Sequence, residues 1–124
     1  PYYPTVPDEI INGSIILVEG LFDLLNLWDK GLRNVVCVFG STIVSKKDRG
    51  NVNFVHKFLK YKLQGVNKLI LLFDGDKAGR DGAKKLMTAL KNNYIIEIYD
   101  LEEGKDPGQL TTKEVIKLIE DLYG

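Results

Sequence analysis

The chain has 124 residues, 44% of them hydrophobic and 27% charged, which suits one domain with one core and excludes disordered and collagen-like classes. No apolar run nears the roughly 18 residues of a membrane span, and residues 1–7 lack the shape of a signal peptide, so a cytoplasmic protein with no membrane partner is expected. The formal net charge of zero is uneven: residues 41–91 hold 12 Lys/Arg against 4 Asp/Glu, with an acidic excess on either side, the distribution of a polyanion-binding face or of solubilising lysines on helices.

In chain order, Ile15, Ile16, Leu17 and Val18 form a continuous apolar run, the pattern of a strand buried on both faces. Leu21, Leu24, Leu25, Trp28 and Leu32 then recur at helical spacing, and Gly31 offers a C-terminal cap. Residues 35–39 predict a second strand, with Cys37 as buried core. Residues 40–51 are polar, basic and glycine-bounded, and read as a loop. Val52, Val55, Phe58, Leu59 and Leu63 give the stripe of a second helix that Gly65 ends, and residues 69–73 a third strand.

The third helix is the clearest, with Ala83, Leu86, Met87 and Leu90 on one stripe. Residues 95–99 carry Glu97 in mid-run, which predicts an edge strand with one wet face. Thr111 and Glu114 have capping-box spacing before Val115, Leu118, Ile119 and Leu122, a fourth helix. Strands alternating with helices through short connections predict an α/β fold, a parallel sheet covered by helices, with ligands beyond the carboxyl ends of the strands.

Acidic residues follow the strands. Strand one runs into Glu19 and Gly20, with Asp23 one helical turn on; strand three runs into Asp74, Gly75 and Asp76; strand four is followed by Asp100, Glu102, Glu103 and Asp106. If strands one and three are neighbours, Glu19, Asp74 and Asp76 converge at one sheet edge. Packed carboxylates raise one another's pKa unless a cation neutralises them. With one cysteine and one histidine, His56, multi-cysteine zinc sites, catalytic triads and histidine-rich centres are excluded, and oxygen ligands alone favour Mg²⁺. The structural alternative is that Asp76 is only a helix N-cap and that Glu19 and Asp23 only favour the positive end of the first helix. No Gly-x-x-x-x-Gly-Lys-Ser/Thr and no Gly-x-Gly-x-x-Gly after strand one is present, so neither an ATPase phosphate loop nor a dinucleotide site is supported.

Three stretches now combine: Val18-Glu19-Gly20-Leu21-Phe22-Asp23, then Phe39-Gly40-Ser41-Thr42, then Phe73-Asp74-Gly75-Asp76-Lys77-Ala78-Gly79-Arg80. Together they resemble a Toprim domain, the fold shared by topoisomerases and primases, in the form found in DnaG-type bacterial and phage primases. Gly104-Lys105-Asp106-Pro107 is similar to the primase Gly-x-Asp-Pro-Asp element, and the likeness runs over roughly residues 15–112. Two departures stand out: Gly108 replaces the second aspartate of that element, and Ser41 separates Gly40 from Thr42.

The resemblance implies a Rossmann-like, three-layer Toprim fold with helices on both faces of a four-stranded parallel sheet ordered 2-1-3-4. It implies one domain over residues 1–124, with a core of about 14–122 and residues 1–13 as an extension. Glu19, Asp23, Asp74 and Asp76 are its catalytic acids. Glu19, Asp74, Asp76 and Asp106 are its ligands for Mg²⁺ (or Mn²⁺), one or two ions. Lys46, Lys47 and Arg49 after strand two, and Lys77, Arg80 and Lys84 on the third helix, are candidates for contact with nucleic acid or nucleotide. Lysines opposite an apolar stripe are equally the ordinary solvated face.

The implied reaction is metal-dependent nucleotidyl transfer, from ribonucleotide triphosphates to an RNA primer on a single-stranded DNA template. The zinc module and the basic N-terminal lobe of such primases are not in this sequence, so it is expected to be incomplete alone, acting with flanking primase lobes or a replicative helicase. Two rival readings remain: a small stand-alone Toprim nuclease that hydrolyses RNA or DNA, and a non-catalytic nucleic-acid-binding module. A topoisomerase reading is discounted, since Tyr61, Tyr94 and Tyr99 read as packing residues.

Overall fold

The structure, a computed structural model, describes residues 9–38, 58 and 60–124. The sheet comprises β1 (Ser14–Val18), β2 (Val35–Cys37), β3 (Lys68–Leu71) and β4 (Ile95–Ile98). All its pairings are parallel, in the order β2-β1-β3-β4. Among the described residues the helices with defined bounds are α1 (Leu21–Asp29), α2 (Lys77–Leu90) and α3 (Thr112–Tyr123), with 3₁₀ turns at Lys62–Gln64 before β3 and Pro107–Gln109 before α3. The expected order 2-1-3-4 is the one found. No described helix is long and apolar enough to cross a membrane.

The continuous apolar runs exist because both sheet faces are covered. Side chains alternate across β1 and β3: Ile15, Leu17, Leu69 and Leu71 join α2 through Ala83, Leu86 and Leu90. Ile16, Val18 and Ile70 join α1 and α3 through Leu24, Leu27, Val115 and Leu118. Full burial of each such aliphatic side chain contributes about 1.5–3 kcal/mol. Cys37 is buried in the second cluster, as expected. Glu97 on the edge strand β4 pairs with Lys68 at 2.6 Å and stays partly exposed, as expected of an edge strand with one wet face.

Two expected core positions are exposed. Leu25 is 46% exposed, because α1 buries Asp23, Leu24 and Leu27 instead. Leu63 is 91% exposed, because residues 62–64 form a 3₁₀ turn that rotates it off the stripe; Phe58 and Tyr61 fill the core there. The rest of the predicted second helix, apart from residue 58 and residues 60–63, lies outside the described residues, as do His56 and the loop over 40–51.

Helix starts follow their capping residues. Asp76 caps α2 by accepting the Gly79 N–H at 2.7 Å. Thr111 and Glu114 form the expected capping box on α3, with bonds of 3.2 and 3.0 Å. At the far edge of the sheet, buried Asn34 donates Nδ2 to the Ser14 carbonyl (3.2 Å) and to the Tyr123 hydroxyl (2.8 Å), fastening the end of α3 to the sheet. No sequence pattern signals that network, since its three residues are 89 or more positions apart at the widest links.

Candidate functional site

The carboxyl ends of β1 and β3 are adjacent, and their acids meet. The Asp74 N–H donates to Glu19 Oε1 at 3.0 Å, so the two strand ends are joined by one acid's side chain and the other's backbone. Asp74 is pushed up to about 7 by burial first, and then by the charges of Glu19, Asp23, Asp106 and Asp76. All five acids named from the sequence therefore share one electrostatic neighbourhood, the carboxylate crowding expected of them.

The two glycines of the Asp-Gly-Asp-Lys-Ala-Gly run are required by close approach. A Cβ on Gly75 would lie 2.1 Å from the Glu102 carbonyl oxygen. The Gly75 N–H donates to the Lys105 carbonyl (2.7 Å), and the Gly104 N–H donates to the Gly75 carbonyl (2.8 Å). These two rungs bring the Asp106 segment beside Asp74 and Asp76. A Cβ on Gly79 would lie 2.1 Å from the Asp74 carbonyl oxygen, so glycine lets α2 start directly against the strand end.

The acids are not equivalent. Asp76 uses Oδ1 as the N-cap of α2, so its structural reading holds alongside its place in the cluster. Asp23 is only 8% exposed, with Oδ2 accepting the Gly20 N–H (3.1 Å) and Oδ1 the Gly108 N–H (2.9 Å). Burial is the main cause that raises its pKa. Asp23 thus braces α1 against the Pro107–Gln109 turn. Gly108, the departure from the primase element, faces this brace: a Cβ there would lie 3.0 Å from Asp106 Oδ1 and 3.1 Å from Asp23 Oδ1.

The donor chemistry fits a hard divalent ion, since it is all oxygen and a cation would relieve the crowding that raises the Asp74 pKa. Among the described residues no three acidic, histidine or cysteine side chains stand close enough to form a ready ion cage. Mg²⁺ itself binds through one or two carboxylates and keeps several waters, so a site for it requires no such cage.

Of the basic candidates, Lys77 pairs with Asp81 and Arg80 with Glu103, each at 2.8 Å and exposed. Lys84 is exposed one turn further along α2, and Lys46, Lys47 and Arg49 lie outside the described residues. Sequence reasoning missed Asn26, which donates Nδ2 to the carbonyls of Pro107 (2.8 Å) and Leu110 (3.1 Å), and Lys105, which pairs with Glu114. Asn26 lies in no motif, and Lys105 occupies only the variable position of the Gly104-Lys105-Asp106-Pro107 element.

Comparison with known proteins agrees with this geometry. The family model for Toprim-like domains matches residues 16–111. A DNA primase of Aquifex aeolicus is 38% identical over 99 residues, covering 78% of this chain and 18% of the primase. The crystal structure of the zinc-binding and RNA polymerase domains of the Aquifex aeolicus primase superposes with a TM-score of 0.67 at 31% identity, covering 88% of this chain and 26% of that one. A DNA primase domain from Pseudomonas aeruginosa gives a TM-score of 0.63 at 28% identity, covering 82% and 29%. The chain thus spans about a fifth to under a third of these relatives. With the motif run, the strand order and the acidic edge all in agreement, the chain belongs to the Toprim-like family, in its DnaG-primase form.

Proposed function

We propose that this chain is the catalytic Toprim part of a DnaG-like primase, supporting metal-assisted nucleotidyl transfer from ribonucleotide triphosphates to an RNA primer on single-stranded DNA. In this reading residues 14–122 form the core of one domain. The observation that carries it is the crowding of Glu19, Asp23, Asp76 and Asp106 around Asp74, whose carboxyl is pushed up to about 7.

Glu19, Asp74, Asp76 and Asp106 would hold one or two Mg²⁺ or Mn²⁺ ions. When bound, the metal supplies charge neutralisation and polarises the phosphoryl oxygens. The chain's own residues prepare that place. Glu19 fixes the Asp74 backbone through the 3.0 Å bond. The Asp74 carboxyl, raised to about 7 by burial and by its acidic neighbours, would serve as an oxygen ligand in its deprotonated form. Asp76 aligns the first turn of α2 while remaining at the edge. Catalysis would consist of positioning and charge stabilisation.

Lys77, Arg80 and Lys84, with Lys46, Lys47 and Arg49, would attract template or triphosphate without reading sequence. Exposed ion pairs are weak, so Lys77 and Arg80 can exchange Asp81 and Glu103 for phosphates at little cost. Flanking primase lobes or a replicative helicase would complete the assembly.

Titration of the chain with Mn²⁺, followed by its electron paramagnetic resonance signal, tests the metal site; no binding overturns the reading. The reaction is tested with a chimera in which residues 16–111 replace the matching segment of the Aquifex aeolicus primase. Primers made by the chimera and lost with Asp74→Asn support nucleotidyl transfer. Cleavage of labelled RNA or DNA by the 124-residue chain would instead identify a hydrolase.

A further inference from the structure

Asp106 sits in the segment between β4 and α3, which has little regular structure of its own beyond the short turn at Pro107–Gln109. Two side chains outside the acidic group hold it from opposite sides. From α1, Asn26 Nδ2 donates to the carbonyls of Pro107 and Leu110 at 2.8 and 3.1 Å. Lys30 Nζ donates to Asn26 Oδ1 at 2.6 Å, which turns the amide so that its NH₂ faces the two carbonyls. From the other side, Lys105 Nζ pairs with Glu114 Oε2. Glu114 Oε1 accepts the Thr111 N–H at 3.0 Å, so the pair is anchored on the start of α3. The Lys105 carbonyl in turn accepts the Gly75 N–H at 2.7 Å, between the two aspartates of the β3 loop.

We propose that Asn26 and Lys105 are positioning residues that pin residues 104–110 from α1 and α3 and thereby hold Asp106 beside Asp74. This rests on the reading of the acids as a divalent-metal site. Residues that orient ligands without touching the ion commonly change metal affinity 10–100-fold, and Asp106 has both its chain neighbours tied: the Lys105 carbonyl to Gly75 and the Pro107 carbonyl to Asn26.

The test measures Mn²⁺ affinity by paramagnetic resonance and amide hydrogen exchange at Gly75 and Gly108 in the metal-free chain. Asn26→Asp puts a carboxylate against two carbonyls, and Lys105→Met removes the charge at similar length. Each is expected to weaken Mn²⁺ binding about tenfold and to speed exchange at Gly108 or Gly75 respectively by at least about tenfold. In an Asp106→Asn background the same changes should alter affinity less than about twofold, because a residue acting only through Asp106 is silent once that charge is gone. Lys105→Arg, which keeps the pair, should restore both readouts.

Equal losses with and without Asp106, or unchanged exchange at both glycines, would overturn the inference. If Asn26→Asp does not fold, Asn26→Ala removes the two bonds without adding charge and is judged the same way. Absence of Mn²⁺ binding by the wild type overturns the metal-site reading, and exchange then decides the pinning by itself.

Discussion

Glu19 and Asp74, 55 positions apart, are joined by one hydrogen bond from the Asp74 N–H to Glu19 Oε1 at 3.0 Å. Glu19 therefore has two effects that one substitution can separate. Glu19→Gln keeps a carbonyl acceptor for the N–H and removes the charge. Burial is the larger cause of the Asp74 shift and the Glu19 charge the next, so the Asp74 titration should move down without reaching the ordinary carboxylate range. Mn²⁺ affinity should fall about tenfold while the metal-free melting temperature stays level or rises. Carbon-13 titration of the Asp74 carboxyl checks this, and an unmoved midpoint would contradict the proximity of the two groups.

Asp74 also links stability to pH. Its folded pKa, about 7, lies above the unfolded value of about 3.9, so the folded state binds more protons between those values and stability falls as pH rises through that window. Above pH 7 the loss is complete. Asp74→Asn removes the titrating group, and the variant should match wild type near pH 4 and exceed it at pH 8 in EDTA. The carboxyl is partly exposed, so after solvent screening the gain is about 1 kcal/mol, or roughly 4 °C in melting temperature. Saturating Mg²⁺ should cancel the advantage. Equal melting curves at pH 8 without metal would show that Asp74 carries no such strain.

How much of this was legible beforehand follows from what period and spacing encode. The runs at Ile15 to Val18 and Leu69 to Phe73 read as buried strands because helices on both faces remove the polar alternation. The Asp74-Gly75-Asp76 run could be placed at the sheet edge since strand ends and the acids adjoin in sequence. Leu25 was misplaced because a helical stripe of leucines does not say which side the buried acid Asp23 will claim. The brace from Asp23 to Gly108, 85 residues away, and the hold of Asn26 on Pro107, 81 residues away, leave no local pattern. Long-range bonds to backbone groups depend on loop paths, which composition does not encode.

Asp23 illustrates the consequence. Both of its oxygens serve backbone N–H groups, at Gly20 and Gly108, so its first loss should be structural. Asp23→Ala strands two donors and is expected to destabilise the chain by about 2 kcal/mol, read as a lower midpoint in urea unfolding. Mn²⁺ affinity should fall as well, since the segment carrying Asp106 loses one of its two holds on α1, keeping only that of Asn26. A variant of full stability with lost metal binding would instead make Asp23 a direct ligand.

Gly79 and Gly82 lie in the same helix and should respond in opposite directions to the same change. In a helix interior, alanine ordinarily stabilises relative to glycine by about 1 kcal/mol. At Gly82 the added Cβ would meet Phe73 Cδ2 at 3.8 Å, an ordinary contact, so Gly82→Ala should raise the unfolding free energy by about 0.5–1 kcal/mol. At Gly79 the Cβ would lie 2.1 Å from the Asp74 carbonyl oxygen, which is backbone and cannot rotate away. To relieve that clash α2 must move off the end of β3, taking with it the Asp76 cap on the Gly79 N–H. Gly79→Ala should therefore destabilise by about 3 kcal/mol and weaken Mn²⁺ binding, because Asp74 and Asp76 both shift. Urea unfolding of the two variants side by side decides the point: stabilisation at both positions would mean that α2 does not start against the strand end, and the close approach that assembles the acidic edge would be wrong.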